Sequence, residues 1–235
     1  MTTVLAAFLA FAVPSAALAR TEEYAGVHRV DLHVSAGNVT VNGTDRAVTT
    51  LSVTKKRYDE RCRLTVEQKG DLLRIDLGTR NLFKARCEAD FDLMVPKSVA
   101  LKFKSGSGNV RVNGTTGAVA VETGTGHVDV KAKILAFDAR VGSGSVRAEG
   151  LEAPASVETG TGNVRLVYDR VPADGQLEIR SGSGDAEVLF PKHARVHTLF
   201  TSGTGSLQNR LGDSPNARFT ISMKAGTGDL RVGDF

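Results

Sequence analysis

Apolar and polar residues alternate along most of the chain, in short runs that recur around a glycine phrase. Within residues 101–235, apolar side chains stand two and four residues after a glycine, as at Val110 and Val112. Others precede the phrase, as at Leu101 and Phe103. A period of two is typical of a strand with one buried face. The pattern therefore predicts two short strands in every repeat, one on each side of the glycines.

The phrase itself is Gly-X-Gly, mostly preceded by Ser or Thr, and it occurs seven times. Its second glycine returns at steps of 18, 18, 18, 22, 21 and 23 residues. A tight corner in every repeat needs positive φ and a close approach of backbones, which glycine permits. We assign the glycines of the phrase to such corners: Gly106, Gly108, Gly124, Gly126, Gly142, Gly144, Gly160, Gly162, Gly182, Gly184, Gly203, Gly205, Gly226 and Gly228.

The outward positions support stacking of the repeats. Read in chain order, one polar column alternates in sign through its first five members and then continues with Thr201 and Lys224. Parallel strands lie about 4.8 Å apart, so opposite charges become direct neighbours. A period of two excludes helical repeats, and an antiparallel meander does not keep one phrase in register. We therefore predict an all-β parallel β-helix, or β-solenoid, of 18–23-residue coils. The five alternating residues are Lys104, Glu122, Arg140, Glu158 and Arg180.

The N-terminal part carries one early coil and a region without the phrase. Residues 27–43 alternate around Ser35-Ala-Gly37, and later runs read as strands joined by a turn at Lys69-Gly70-Asp71. An open solenoid end exposes unpaired strand edges and needs a cover. We predict that residues 20–100 form this coil and a β-hairpin cap, continuous with the main stack at residues 101–235.

The first 19 residues read as a secretory signal peptide. They are uncharged, mostly apolar, and end in Ala17-Leu18-Ala19, a small-X-small cleavage site. Met1-Thr2-Thr3 lacks the usual Lys or Arg, and the alternative is a buried apolar helix. Export predicts a periplasmic, cell-surface or secreted protein. We expect no integral membrane segment after cleavage.

Cys62 and Cys87 are the only two cysteines in the chain. In an oxidising compartment an isolated pair most simply forms one disulfide. The alternative is two free buried thiols. Two cysteines alone do not make a metal site.

The remaining motifs indicate no catalytic or cofactor site. No copy of the phrase matches a nucleotide-binding P-loop, and a calcium β-roll needs an Asp in every turn. His193 and His197 lie in a strand-and-loop context that does not put them on one helical face. Outward acids, among them Glu122 and Glu158, stand in columns beside cations. We expect a protein that is not an enzyme and has no cofactor; the alternative is a carbohydrate-active β-helix enzyme.

One basic segment is the candidate anion-contact patch, and its residues are Lys55, Lys56, Arg57, Arg61 and Arg63. Such a patch attracts anionic envelope polymers or lipid headgroups. The alternative is an ordinary solvated face. Nucleic acid is not an expected partner, because aromatic residues do not interleave with the cations.

The repeated Ser/Thr-Gly-Ser/Thr-Gly-X-Val-X-Val phrase, with the early Ser-Ala-Gly-Asn-Val-Thr-Val coil, resembles the putative-adhesin family of bacterial exported proteins. The resemblance covers residues 27–235 and implies a β-solenoid fold without catalytic residues. It implies a role as an adhesin or as a binding or structural protein of the cell envelope, with an envelope polymer or protein as partner. A structural assembly protein that pairs through its solenoid end is a further alternative.

Overall fold

The computed structural model describes residues 20–79 and 87–235, and these residues form 21 β-strands without a helix. The predicted signal peptide lies outside the described residues. The first seven strands are β1 (Arg20–Ala25), β2 (Arg29–Ala36), β3 (Val39–Thr44), β4 (Val48–Arg57), β5 (Cys62–Lys69), β6 (Leu72–Thr79) and β7 (Glu88–Pro96).

The later strands form the main stack, two to a coil. They are β8 (Ala100–Ser107), β9 (Val110–Asn113), β10 (Val119–Thr125), β11 (Val128–Ile134), β12 (Phe137–Ser143), β13 (Val146–Leu151), β14 (Ala155–Thr161), β15 (Val164–Tyr168), β16 (Gly175–Ser183), β17 (Ala186–Phe190), β18 (His197–Thr204), β19 (Leu207–Asn209), β20 (Phe219–Thr227) and β21 (Leu230–Asp234).

Each coil contributes one strand to each of two sheets. The first sheet has the order β5-β6-β2-β8-β10-β12-β14-β16-β20-β18. The second has the order β1-β4-β7-β3-β9-β11-β13-β15-β17-β21-β19. Successive coils pair in parallel, and the inward side chains form one apolar core. The prediction of an all-β parallel solenoid is confirmed.

The coils do not stack in chain order. The β2–β3 coil lies between the β6–β7 coil and the β8–β9 coil. At the other end, the β20–β21 coil lies between β16–β17 and β18–β19. Reading the outward column in chain order was therefore wrong at its end. Arg180 is followed by Lys224, another cation, and Arg180 pairs with Glu178 of its own strand.

The predicted hairpin cap is present, and the segment around it does more than cover an end. Strand β5 pairs antiparallel with β6, through the predicted turn at Lys69-Gly70-Asp71. Strands β4 and β1 extend the second sheet, also antiparallel. Strands β6 and β7, however, pair in parallel with β2 and β3 and so add one strand to each sheet of the stack. Cys62 of β5 is bonded to Cys87, the residue before β7, so a disulfide ties the hairpin to this coil.

The corner glycines are required by contact between coils as well as by conformation. Gly144 has a φ of 144°, which residues with a side chain rarely adopt. A Cβ placed there would lie 1.9 Å from the carbonyl oxygen of Gly126 in the neighbouring coil. The same clash recurs between the second glycines of successive coils. The stack therefore reaches strand spacing at its corners only because no side chain stands between the backbones.

The polar residues after the corners link one coil to the next. Except for Ser206, which ends the ladder, each of these side chains accepts a hydrogen bond from an amide of the adjacent coil. His127 N–H donates to Asn109 Oδ1 at 2.8 Å, and Asp185 N–H donates to Asn163 Oδ1 at 3.0 Å. These bonds satisfy corner N–H groups that have no ladder partner. The ladder runs through Asp90, Asn38, Asn109, His127, Ser145, Asn163, Asp185, Asp229 and Ser206.

Two inward positions at the C-terminal end of the stack are polar: Thr198 lies beside Ile221, and Asn209 lies beside Val232. Asn209 Nδ2 donates to Thr198 Oγ1 at 3.2 Å, in the terminal coil. The loop that returns from β19 to β20 crosses this end, and Asp213 Oδ1 accepts from Thr198 N–H at 2.8 Å. Leu207, which belongs to an apolar core column, is 40% exposed because no coil covers it. At this end of the stack, hydrogen bonds between polar groups therefore take the place of the apolar burial found in the other coils.

Replacement of a corner glycine in mid-stack should destabilise the whole solenoid. We expect Gly144→Ala to lower the free energy of unfolding by at least about 2 kcal/mol, from positive φ and from the backbone clash. The control is Gly78→Ala in β6, where an added Cβ meets no atom within 4 Å and φ is not positive. Urea unfolding followed by circular dichroism measures both. Equal midpoints for the two variants would contradict the stacking constraint.

The disulfide should stabilise the N-terminal end by restricting the unfolded chain. Because Cys62 and Cys87 are 25 residues apart, their bond contributes about 3 kcal/mol in the chain-entropy view. The double variant Cys62→Ser/Cys87→Ser should lose this amount in urea unfolding, and a thiol reductant should lower the wild-type midpoint to the variant's value. A wild-type midpoint that is insensitive to reductant would disprove this role.

Acid should loosen the C-terminal coil through Asp229. The amide and hydroxyl of Ser206 donate hydrogen bonds to this carboxylate and lower its pKa below the usual 3.8. A lowered pKa stabilises the fold above the usual value, and this contribution is lost as the pH falls through the lowered one. The protection factor of the Ser206 amide, which is the ratio of its intrinsic to its observed exchange rate at each pH, should therefore fall in acid. Asp229→Asn should flatten that pH dependence, whereas Asp234→Asn at the end of the following strand, β21, should leave it unchanged.

Candidate binding face

The outer face of the first sheet is organised in columns that run across the strands. Its central column is charged, and we call it the charged ridge. On one side of the ridge lies a column of glycines, the first of each corner pair. On the other side lie two further columns: the nearer one interleaves charged residues with Ala120 and Ser156, and the farther one includes three alanines and a proline. The ridge contains, in stacking order, Asp76, His33, Lys104, Glu122, Arg140 and Glu158.

The glycine column forms the floor of a groove of about 930 Å³, which we call the glycine groove. Gly106, Gly124, Gly142 and Gly160 line it beside the ridge. A Cβ at Gly124 would lie 2.6 Å from the carbonyl oxygen of Gly106, so a side chain cannot be placed there without moving backbone. The groove is thus a direct consequence of corner packing, and it continues across six coils.

The ridge pairs its own charges and keeps them accessible. Lys104 Nζ lies 3.0 Å from Glu122, and Arg140 Nε lies 3.9 Å from Glu158. All four side chains are 50–59% exposed. Ion pairs this exposed contribute about 0–1 kcal/mol, so a ligand can exchange contacts with them at little cost. The ridge therefore offers alternating cations and anions to anything that lies along the grooves.

The small residues on the other side of the ridge form a second groove, of about 630 Å³, which we call the apolar groove. One of its columns consists of Ala100, Ala118, Ala136 and Pro154, and the other contains Ala120. Ala118, Ala136 and Pro154 are exposed on the surface. Two grooves of different chemistry therefore flank one charged ridge.

The basic segment predicted as an anion-contact patch is largely paired with acids. Lys56 Nζ lies 3.3 Å from Asp90, and Arg57 Nε lies 3.7 Å from Glu88. The other members have different surroundings: Arg61 forms a forked bond with the carboxylate of Asp59, Lys55 lies over the ring of Tyr58, and Arg63 is exposed. Local acids thus neutralise three of the five cations that sequence reasoning grouped together.

The two histidines have separate surroundings. His197 Nδ1 lies 3.1 Å from Asp213 Oδ2, whereas His193 lies in the β17–β18 loop with a φ of 64°. The Asp213 carboxyl has a lowered pKa, chiefly because Thr198 N–H donates to it. Within the described residues, no group of three or more His, Cys, Asp or Glu side chains is arranged to hold a metal ion. Nor does this part of the chain include a helix of the length and apolarity needed to cross a membrane.

Sequence reasoning found the corner glycines but missed the face they create. The first glycines were interpreted as corner residues, and the structure shows that they also floor the glycine groove. A signal for the apolar groove was present: alanine recurs at positions 100, 118 and 136, at the 18-residue period. Its meaning depends on which side of the sheet these alanines occupy.

A family model described as Toastrack DUF4097 matches residues 21–233. No curated protein matches the chain in sequence. This match confirms the family resemblance carried by the repeat phrase.

Three solved structures resemble the chain. A putative cell adhesion protein from Clostridium sporogenes shares 12% identity with a TM-score of 0.45, over 92% of this chain and 100% of that one. A putative adhesin from Bacteroides fragilis shares 13% with a TM-score of 0.46, over 94% and 98%. A putative lipid binding protein from Parabacteroides distasonis shares 16% with a TM-score of 0.48, over 92% and 96%. Each resemblance is one of chain fold.

Proposed function

The chain belongs to the Toastrack DUF4097 family, and within that fold we propose that it is an exported, non-catalytic protein that binds a linear polymer of the cell envelope. The polymer lies in the glycine groove, against the charged ridge. The observation that carries this proposal is the continuity of the groove across six successive coils. At about 4.8 Å for each coil, the groove is about 24 Å long.

The geometry favours a long, repeating ligand. Every coil presents similar backbone and one polar or charged side chain to the groove, so a chain lying across the strands meets similar contacts at regular intervals. Solenoids use extended surfaces of this kind for binding. The alternating signs of Lys104, Glu122, Arg140 and Glu158 provide both donors and acceptors for a polar polymer.

A binding role without catalysis is supported by the exposure and the ion pairing of the two glutamates on the ridge. Glu122 and Glu158 are half-exposed and paired with cations of the neighbouring coil. A general acid needs a raised pKa, which burial or a neighbouring carboxylate produces. Neither glutamate is buried, and each adjoins a cation of the ridge instead of a second carboxylate.

Export is supported by two features of different kinds. Residues 1–19 have the pattern of a cleavable signal peptide. The Cys62–Cys87 disulfide is of the kind that persists in oxidising compartments. We propose a periplasmic or cell-surface location, where the envelope polymer is within reach.

The test is binding of purified residues 20–235 to isolated cell-envelope fractions at low and high salt. We expect saturable binding that survives high salt. Arg140→Glu should weaken it about ten-fold or more, because three acids would then adjoin in the ridge. The control is Arg147→Glu, which alters an exposed arginine of the same coil on the opposite face and should bind as wild type.

Three outcomes would overturn the proposal. Absence of saturable binding would remove the binding role, and equal losses in both arginine variants would remove the assignment to this face. Shortening of the bound polymer that Glu122→Gln abolishes would replace it with a carbohydrate-active enzyme.

A further inference from the structure

The apolar groove contains one column with apolar side chains at four consecutive coils, beside a column that carries Lys102, Asp138 and Glu178. Between Arg29 at one end of its alanine column and Gln176 at the other, four successive members are alanine or proline. Beneath them, the core residues Val119 and Phe137 also line the groove. Outward positions of a solenoid in water are normally polar, so four apolar neighbours in one column form a continuous apolar strip.

The shape of the groove suits an extended hydrocarbon chain. It reaches from Leu72 of β6 to Gln176 of β16, which is seven coils or about 29 Å at strand spacing. One leaflet of a bilayer holds an acyl chain within about 15 Å, half of its hydrocarbon thickness. The volume of about 630 Å³ is that of a small-molecule site. A single acyl chain can therefore lie along the alanine column without leaving the groove.

The charges beside the strip occur in a definite order. Lys102 and Lys104 of β8 lie together at the level of Ala100. Glu122 of β10 and Asp138 of β12 lie on the coils that follow. At their backbones these cations and acids are one to two coil spacings apart, about 5–10 Å, and Lys104 and Glu122 also pair with each other at 3.0 Å. A headgroup that carries a phosphate and an ammonium a few ångströms apart matches this order, with its phosphate on the lysines and its ammonium on the acids.

We propose that the apolar groove binds the acyl chain of a single-chain zwitterionic phospholipid, whose headgroup contacts Lys102, Lys104, Glu122 and Asp138. This inference rests on the proposed function, because it assigns a second envelope component to the face that holds the polymer. A lipid bound there would tether that face to the membrane surface. The contribution of the chain comes from removal of apolar surface from water.

The test uses dodecylphosphocholine below its critical micelle concentration as the probe, titrated calorimetrically into residues 20–235. We expect saturable binding with a stoichiometry of one. Ala120→Arg should weaken it about ten-fold or more, because a charge would enter the apolar groove. The control is Ser222→Arg in β20. Ser222 lies in the same outward column as Ala120, two coils beyond Ser156. This variant should bind as wild type.

Headgroup recognition is tested with a second variant and a second probe. Lys102→Glu should weaken dodecylphosphocholine binding and leave the binding of dodecyl maltoside, which has the same chain and no charge, unchanged. Lys102 is exposed, so this substitution keeps the fold even where Ala120→Arg does not. Equal affinity of wild-type protein for both detergents would overturn the headgroup assignment.

Failure of this inference is separable from failure of the proposed function. If dodecylphosphocholine does not bind, or binds Ala120→Arg as well as wild type, the acyl site is wrong. If the same Ala120→Arg protein still binds envelope fractions while Arg140→Glu does not, the polymer site stands alone. If neither envelope fractions nor detergent bind wild-type protein, both proposals fall.

Discussion

The structure depends on direct contact between the corner backbones of successive coils. Parallel strands pair only at their normal spacing, and at the corner that spacing leaves no room for a Cβ between one glycine and the carbonyl oxygen of the next. Once the corners meet, both sheets hold their register, the core columns align, and side chains such as Asn109 can accept from the amide of the adjacent coil. Glycine is therefore required here mainly because it has no Cβ.

The same constraint produces the surface on which the proposed function rests. The first glycines of the corners face outward in the first sheet, so close packing within the stack leaves a groove on its outside. The charged ridge beside the groove has paired, half-exposed side chains, which contribute little to stability and remain open to ligands. The glycine column that close packing requires is thus also the floor of the candidate binding groove.

The two ends of the stack are treated differently. At the N-terminal end, antiparallel strands and a disulfide cover the first coils. At the C-terminal end, a crossing loop, Asp213 and the Asn209–Thr198 pair satisfy polar groups over a partly exposed core. Unpaired edges invite association with other chains, and both devices limit it. The reversed order of coils changes which strands stand at the edge: at the C-terminal end these are β18 and β19, and not β20 and β21.

Much of this architecture was readable from residues alone. The period of two, the 18-residue recurrence of Gly-X-Gly and the alternating ridge through Arg180 predicted a parallel solenoid with its corners and core columns, because each is a local rule repeated along the chain. The coil order was not readable: Lys224 and Thr201 fit the same column equally well, and only the path of the loops decides which follows Arg180. The pairing of the basic segment was not readable for a related reason, since Asp90 and Glu88 approach Lys56 and Arg57 only across the β4–β7 pairing. Repetition along the chain determined the coil, whereas long-range pairing decided how coils are ordered and which faces become grooves.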